Sequence, residues 1–435
     1  MKINICSAIV FIGFLGMSLT SLGESLHSDS PMFDGCKGKV VAGYQGWFRF
    51  PGDGSGANGS NWGHWGSRGQ EFGTSHCTID IWPYTKEYPK VYATNFKNPD
   101  GSAACVFSFY DESTVDVHFK WMKEYGIDAA FLQRFYSYTK NAVARPHTVK
   151  ILEHCLKAAK KHGVGIILMY DVSGMPKGKV ADGLIADFKM ILDSLNLTGG
   201  KNTPYLFHNG KPLVCIWGIG FNDRHYSPAD TDILKFFDFL KNDKTYGGCS
   251  VMVGVPTYWR TLDRDCVKNP DFHKFIKEQV DVLSPWTVGR LEMLDDGRIL
   301  RGGMDYVKEV KADKEWCDSN KITYMPVVYP GFSWYNKMHE HIKGTKFNHT
   351  PRAKGRFFWN VASGAAEAGA ETLYIAMFDE VDEATAIFKL EPNPPRADGV
   401  PMLDTEGLPP DHYLFLAGNF KKLLKTGKSA PMPSR

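Results

Sequence analysis

The chain has 435 residues, 43% of them hydrophobic, enough to bury a large core, and its formal net charge of +3 is near neutral for that length. It carries no basic stretch of the kind that holds nucleic acid, and no apolar run reaches the roughly 20 residues that span a bilayer. Aromatic residues make up 13% of the chain, including 11 Trp, a content that suits stacking on sugar rings and equally suits an ordinary large core.

From the N-terminus, Lys2 precedes the apolar run Ser7 to Met17, and small and polar residues (SLTSLGES) follow. This reads as a signal peptide over residues 1–23, which predicts a mature chain of 24–435 that is secreted, periplasmic or at the cell surface. A retained anchor is the lesser alternative. Cys6 would leave with the leader. Cys36, Cys77, Cys105, Cys155, Cys215, Cys249, Cys266 and Cys317 remain, an even count that permits disulfides after export. Cys155 and Cys215 sit in apolar runs and read equally as buried thiols.

Eight short apolar runs then alternate with amphipathic stretches, the pattern of βα units. The runs are VVAGYQGWF (40–48), IDAAFLQ (127–133), VGIILMYDV (164–172), KPLVCIWG (211–218), VMVGVP (251–256), VDVLSPW (280–286), ITYMPVVYPG (322–331) and TLYIAMFDE (372–380). Most lack polar alternation, as expected of strands covered on both faces. Among the helical stretches, 113–126 opens on a Ser and ends at Gly126. The next, 146–163, starts with Pro, carries Lys in its last turn and stops at Gly163. ADGLIADFKMILDSL, PADTDILKFFDFLKN, RAKGRFFWNVASGAAEAG and DHYLFLAGNFKKLLKTG continue the alternation. The pattern predicts a single (β/α)8 TIM barrel, with an open doubly wound sheet as the alternative. The first connection, residues 50–112, is a long Gly-, Asn- and Trp-rich loop without periodicity. Its Trp62, Trp65, Trp82 and Tyr84 favour an ordered, functional segment.

Active sites of such barrels gather at the C-terminal ends of the strands. Strand one ends at Tyr44, Gln45 and Trp47, strand three at Tyr170 and Asp171, strand four at Trp217 and strand six at Trp286. Strand five runs into Tyr258, Trp259 and Arg260; strand seven ends at Tyr329 with Trp334 following. Strand eight ends in Asp379, Glu380, Asp382 and Glu383, four acids within five residues. Converging like charges raise one another's pKa values, and a glycosidase needs one carboxyl protonated and a second ionised. A calcium or magnesium site and a solvated acidic loop account for the same cluster. The aromatic residues at the rim suit a stacked sugar, although each can also cap the core.

Other motifs are weaker. His339 and His341 form an HEH pair in a polar stretch. His64, between Trp62 and Trp65, is the better candidate for substrate contact than His76. Asn58, Asn196 and Asn348 fit the glycosylation sequon. No GxSxG elbow, P-loop or GxGxxG occurs.

The segment FDEVDEATAIF resembles FNEWHEGTQIE of family 99 glycoside hydrolases, the endo-α-mannosidase and endo-α-mannanase family. The resemblance runs along most of the mature chain. GYQGWF with the later WGHW is similar to that family's aromatic first strand and its W-x-H-W-like element. PHTVKILEHCLKAAKKHGVGIILMYD, NGKPLVCIWG and PVVYPGFSW resemble its helix into the third strand, its fourth strand and its seventh-strand segment. The resemblance implies a retaining, endo-acting α-glycosidase on a (β/α)8 barrel, without a metal or other cofactor. Its substrate would be an oligosaccharide or polysaccharide of α-mannan type or a relative. Glu380 would be the base on the sugar 2-hydroxyl, giving a 1,2-anhydro intermediate, and Glu383 the acid and then base. Asp171, where the family carries Glu, would bind sugar hydroxyls, and Tyr44 matches an active-site tyrosine. The family's Asn, Trp, His and Gly become Asp379, Val381, Asp382 and Ala384, so mannose specificity does not carry over. The chain is similar to the bacterial 71/99-like group sometimes labelled xylosidase or arabinosidase. An α-1,3-glucanase of family 71 type, a pentosidase and a non-catalytic carbohydrate-binding protein are the alternatives. The residues expected at the site are thus Glu380 and Glu383 as catalytic groups. Tyr44, Trp47, His64, Trp65, Asp171, Trp217, Tyr258, Trp286, Tyr329, Trp334 and Asp379 are expected around the substrate.

Overall fold

The computed structural model describes residues 26–56, 62–66, 70–141, 144–224 and 231–435. The expected leader, the Asn58 sequon and the first residues of the helix expected from Pro228 lie outside the described residues.

Eight parallel strands form the barrel: β1 (Val40–Tyr44), β2 (Ala129–Phe135), β3 (Gly165–Asp171), β4 (Lys211–Trp217), β5 (Ser250–Val255), β6 (Val282–Pro285), β7 (in two pieces, Thr323–Tyr324 and Val327–Val328) and β8 (Leu373–Ile375). Each falls within or overlaps an apolar run of the sequence. Neighbours pair in chain order from β1 to β6, and β8 pairs with β1. The ring closes through β7. Its first piece pairs with β6 (Val282 opposite Thr323) and its second with β8 (Val327 opposite Tyr374). Pro326 lies between the pieces; lacking an N–H, it cannot continue a ladder.

A helix follows every strand: α1 (Glu112–Glu124), α2 (Ala144–His162), α3 (Ala181–Leu195), α4 (Leu234–Asn242), α5 (Asp271–Gln279), α6 (Tyr306–Ser319), α7 (Arg356–Glu367) and α8 (His412–Thr426). The sequence marks six of these. It does not mark α5, which is short, or α6, whose buried stripe is Tyr306, Val310, Asp313 and Cys317. Asp313 is tolerated there because Arg301 and Arg260 both donate to its carboxylate. A polar residue on the inner face hides the helical period from a reading of hydrophobicity.

The first connection corrects the expectation of a loop without regular structure. It contains an antiparallel hairpin, Tyr92–Lys97 with Ala103–Val106. It also builds its own aromatic core, in which Trp65, Phe72, Trp82, Phe96 and Phe107 are all essentially buried. Centroid spacings of 5.1–6.1 Å link these rings in tilted, edge-on and stacked pairs. All eight described cysteines are free thiols, seven of them buried, so no disulfide braces this scaffold among the described residues.

Candidate active site

At the C-terminal rim of the barrel lies a cleft of about 450 Å³. Its floor is the segment after β8, which is tightly fixed. The backbone N–H groups of Thr385 and Ala386 donate to the Glu380 carbonyl, and Phe378 donates to Gly43 on β1. Buried Arg352, from the connection before α7, donates to the carbonyls of Ala384 and Ala386 at 2.8 and 2.7 Å. Glutamates on this segment are therefore held by backbone as well as by side-chain packing.

The four acids after β8 do not converge on one point. Asp379 turns back and accepts the N–H groups of Gln45 and Gly46 at 2.9–3.0 Å. Burial pushes its carboxyl up to about 7, against the pull of those two donors. Asp382 accepts from Lys337 Nζ at 2.9 Å and meets His64 Nδ1 at 3.1 Å. Burial alone would raise Asp382, but Lys337 and the contact with His64 hold it below the ordinary carboxylate range. Only Glu380 and Glu383 line the cleft. Glu380 is 4% exposed and accepts from the Thr385 hydroxyl at 3.2 Å. Burial, reinforced by the charges of Glu383 and Asp382, raises its pKa well above the usual glutamate value, and Lys337 opposes the rise. Glu383 lies 3.3 Å from Lys337 Nζ. Two neighbouring carboxyls thus have different surroundings, Glu380 almost wholly buried and Glu383 beside the Lys337 ammonium. The same divergence disfavours a metal cage built from this cluster: Asp379 and Asp382 already have partners, and among the described residues no three His, Cys, Asp or Glu side chains are grouped as metal ligands.

Aromatic rings form the walls. Trp47, His64, Trp217, Trp286 and Trp334 line the cleft together with Phe135, Phe221 and Phe332, and Asp171 joins them from the end of β3. Trp47 and His64 stack face to face with centroids 3.7 Å apart, and Trp217 meets Trp286 edge-on at 5.2 Å. Gly254 on β5 makes room for this arrangement, since a Cβ there would collide with the Trp217 indole. Burial pushes Asp171 up to about 6 while hydrogen bonds from Ser173 resist.

Five expected contact residues stand outside the lining. Tyr44 follows Gly43 on β1; successive side chains alternate across a strand, so Gly43 faces the barrel interior and Tyr44 the helix layer. There the Tyr44 hydroxyl bonds His118 Nδ1 at 2.9 Å. Trp65, in the turn after His64, is buried in the aromatic core of the first connection. The Tyr258 hydroxyl accepts from Arg264 Nη1 at 2.8 Å, in a loop that turns away after β5. Tyr329 is fully buried against Phe357, its hydroxyl accepting from the Leu291 N–H. Asp379 lies beneath the floor, as described. Of the weaker motifs, His339 is exposed and bonds the Tyr335 carbonyl of its own turn.

Reading strand ends missed Lys337, whose ammonium is the cation beside both Asp382 and Glu383. It stands on a one-turn helix, Tyr335–Met338, three residues beyond Trp334. Asp80, from the first connection, fixes that turn: its buried carboxylate accepts the N–H groups of Tyr335 and Asn336 at 2.7 and 2.8 Å and the Ser333 hydroxyl. No local sequence signal marks Lys337, because its partners come from distant loops. Gln133 was missed as well. The Gln45 and Gln133 carbonyl oxygens and the Trp47 and Trp217 indole N–H groups are buried without a partner among the described residues, and all four residues line the cleft.

No family model matches the chain, and no curated protein matches it. Solved structures do. A GH99 endo-alpha-mannosidase from Bacteroides thetaiotaomicron superposes with a TM-score of 0.61 over 90% of this chain and 99% of its own, at 16% identity. The same enzyme in complex with bis-tris-propane gives 0.59 over 89% and 98%, at 14% identity. A glycoside hydrolase-like protein gives 0.53 over 91% and 95%, at 15% identity. The chain shares the fold of these proteins. Their matches span nearly the whole described chain, so the likeness extends beyond the barrel strands to the connections around the rim.

Proposed function

We propose that the chain is a glycoside hydrolase that cleaves α-linked glycans in this cleft, with Glu380 and Glu383 as its catalytic carboxyls. The observation that carries the reading is the pairing of two features. Glu380, buried with its pKa raised, and Glu383, beside Lys337, face one cleft, and donors and acceptors buried without a partner among the described residues line it. Buried polar groups are ordinarily satisfied, and a sugar ring supplies hydroxyls for the amides and indoles and apolar faces for the rings. The shared fold with glycoside hydrolases supports the same reading, as does the resemblance of the E-x-x-E segment.

In this scheme Glu380 takes the proton of the sugar 2-hydroxyl and the freed oxygen attacks the anomeric carbon. The glycosidic bond breaks as Glu383 gives its proton to the departing oxygen. Water then opens the 1,2-anhydro ring: Glu383 takes a proton from the water, and Glu380 returns its own to the 2-oxygen. Burial makes ionised Glu380 a stronger base, which a weakly acidic hydroxyl demands, and Lys337 beside it assists the ionisation. Retention of configuration and internal cleavage of an α-mannan-type or related polysaccharide belong to this proposal. The leader expected over residues 1–23 fits an enzyme that meets such a polymer outside the cytoplasm.

The test is a hydrolysis screen on α-mannans, α-glucans and arabinoxylans with the first-formed anomer read by NMR. The reading expects hydrolysis of an α-linked glycan with the α-anomer appearing first. Inversion would rule out the double displacement, and no hydrolysis of any glycan would overturn the enzyme reading.

A further inference from the structure

The glycosidase reading leaves the class of glycan open, and the charged lining of the cleft bears on it. Resting on that reading, we propose that the cleft selects a glycan carrying an anionic substituent, a carboxylate or a sulfate ester, recognised by Arg224 and Arg290. Both arginines line the cleft. Arg224 follows β4, and its guanidinium lies 4.7 Å from the Phe221 ring and 5.3 Å from the Trp217 ring. Its polar contacts are Ser173 Oγ at 3.4 Å and the adjacent, largely exposed Asp223 at 3.2 Å. Arg290 follows β6, its Nε 3.6 Å from Asp265 Oδ2. That carboxylate already accepts the N–H groups of Thr257 and Tyr258, so Arg290 shares a partner that is in use. No hydrogen bond engages the Arg290 guanidinium among the described residues, and its side chain is about half exposed (47%).

Part of the negative charge is matched to Lys337, while Asp171, which also lines the cleft, feels the charge of Arg224. Glu383 faces Lys337, and Asp382 lies behind the wall between Lys337 and His64. Neutral hydroxyls are already served by the Gln45 and Gln133 carbonyls and by the two indole N–H groups. Guanidiniums add something different: a planar fork that pairs two oxygens of a carboxylate or sulfate at once, strengthened where rings displace water from its face. Bracing against Trp217 and Phe221 also lowers the ordering cost when Arg224 binds.

The experiment is calorimetric titration of the full chain carrying Glu383→Gln with length-matched neutral α-mannan, α-linked polyuronate and sulfated α-mannan oligosaccharides. At least one anionic set is expected to bind roughly tenfold or more tightly than the neutral set. That preference should weaken as salt rises and collapse in an Arg224→Gln/Arg290→Gln double variant, while the corresponding double Lys variant retains part of it. The uronate and sulfate arms tell the two anions apart. Equal binding of neutral and anionic sets, or a preference that salt and the double substitution leave unchanged, overturns the inference while the glycosidase reading stands. Binding of no set overturns both. If the Gln double variant fails to fold, the salt dependence decides, and a salt-independent preference sinks the idea.

Discussion

Lys337 Nζ lies 2.9 Å from Asp382 Oδ2 and 3.3 Å from Glu383 Oε1, joining the loop after β7 to the acidic segment after β8. Through these contacts one ammonium balances a buried carboxylate and lowers the pKa of Glu380. Replacing Lys337 by Met therefore raises Glu380 further. If Glu380 is the base, kcat/KM falls as pH drops through its pKa, and this limb moves to higher pH in the Lys337→Met protein. An unmoved limb would separate Lys337 from the catalytic charge. The same change leaves Asp382 with His64 alone, at a cost of about 2–3 kcal/mol in urea denaturation. This is less than for a wholly buried pair because 24% of the Lys337 side chain is open to the cleft.

Asp80 organises the turn that carries Trp334 and Lys337. Asp80→Ala leaves two backbone N–H groups and a hydroxyl without their acceptor, and about 3 kcal/mol of stability is expected to go with it. Asp80→Asn keeps one acceptor oxygen and is expected to lose about half of that. Denaturation midpoints of the two variants, compared with wild type, check the order. Equal losses would show that the carboxylate acts only by filling space.

Asp379 makes stability depend on pH. Folding moves its pKa from an ordinary value near about 3.9 up to about 7, so between those limits the folded chain holds a proton that the unfolded chain lacks. Stability from this group is present in full below the unfolded value and is lost as pH rises through the folded one. Asp379→Asn removes the titration while keeping an acceptor for Gln45 and Gly46. Between pH ~5 and ~8 the wild type is expected to lose about 2–3 kcal/mol relative to Asp379→Asn. Parallel pH–stability curves for the two proteins would contradict the assignment.

The barrel was legible because parallel strands buried on both faces write themselves as apolar runs. Every one of the eight runs from Val40 to Leu373 carries a strand. The lining of the candidate site was legible mainly at strand ends, as with Trp47, Asp171, Trp217, Trp286 and the glutamates after β8, and in loops at His64 and Trp334. Side-chain alternation turned Tyr44 from the cleft to the helix layer, and Trp65 was lost to the aromatic core of the first connection. Tyr258 and Tyr329 were lost to loop geometry that local sequence does not encode. Lys337 and Asp80 stayed invisible for the opposite reason: each acquires its role from a partner more than forty residues away. The Asn that the resembled family carries before its first glutamate is replaced by Asp379. An aspartate held partly uncharged by burial fills the same shape.

Trp334 lines the cleft, half-buried and 5.3 Å from Phe332, and under the glycosidase proposal it stacks on a sugar. Trp334→Ala is expected to raise KM about tenfold, the loss of roughly 1–1.5 kcal/mol of ring contact, with kcat little changed. A fall in kcat at constant KM would place the indole in the chemical step instead.

The most direct measurement is turnover of the α-glycan identified in the screen by wild type, Glu380→Gln and Glu383→Gln, alongside binding of the same glycan. The account predicts that either substitution lowers kcat by about a thousandfold while glycan still binds, since each removes a proton-transfer group and changes little else in the cleft. Wild-type turnover in either variant would contradict it and remove Glu380 and Glu383 from the catalytic role.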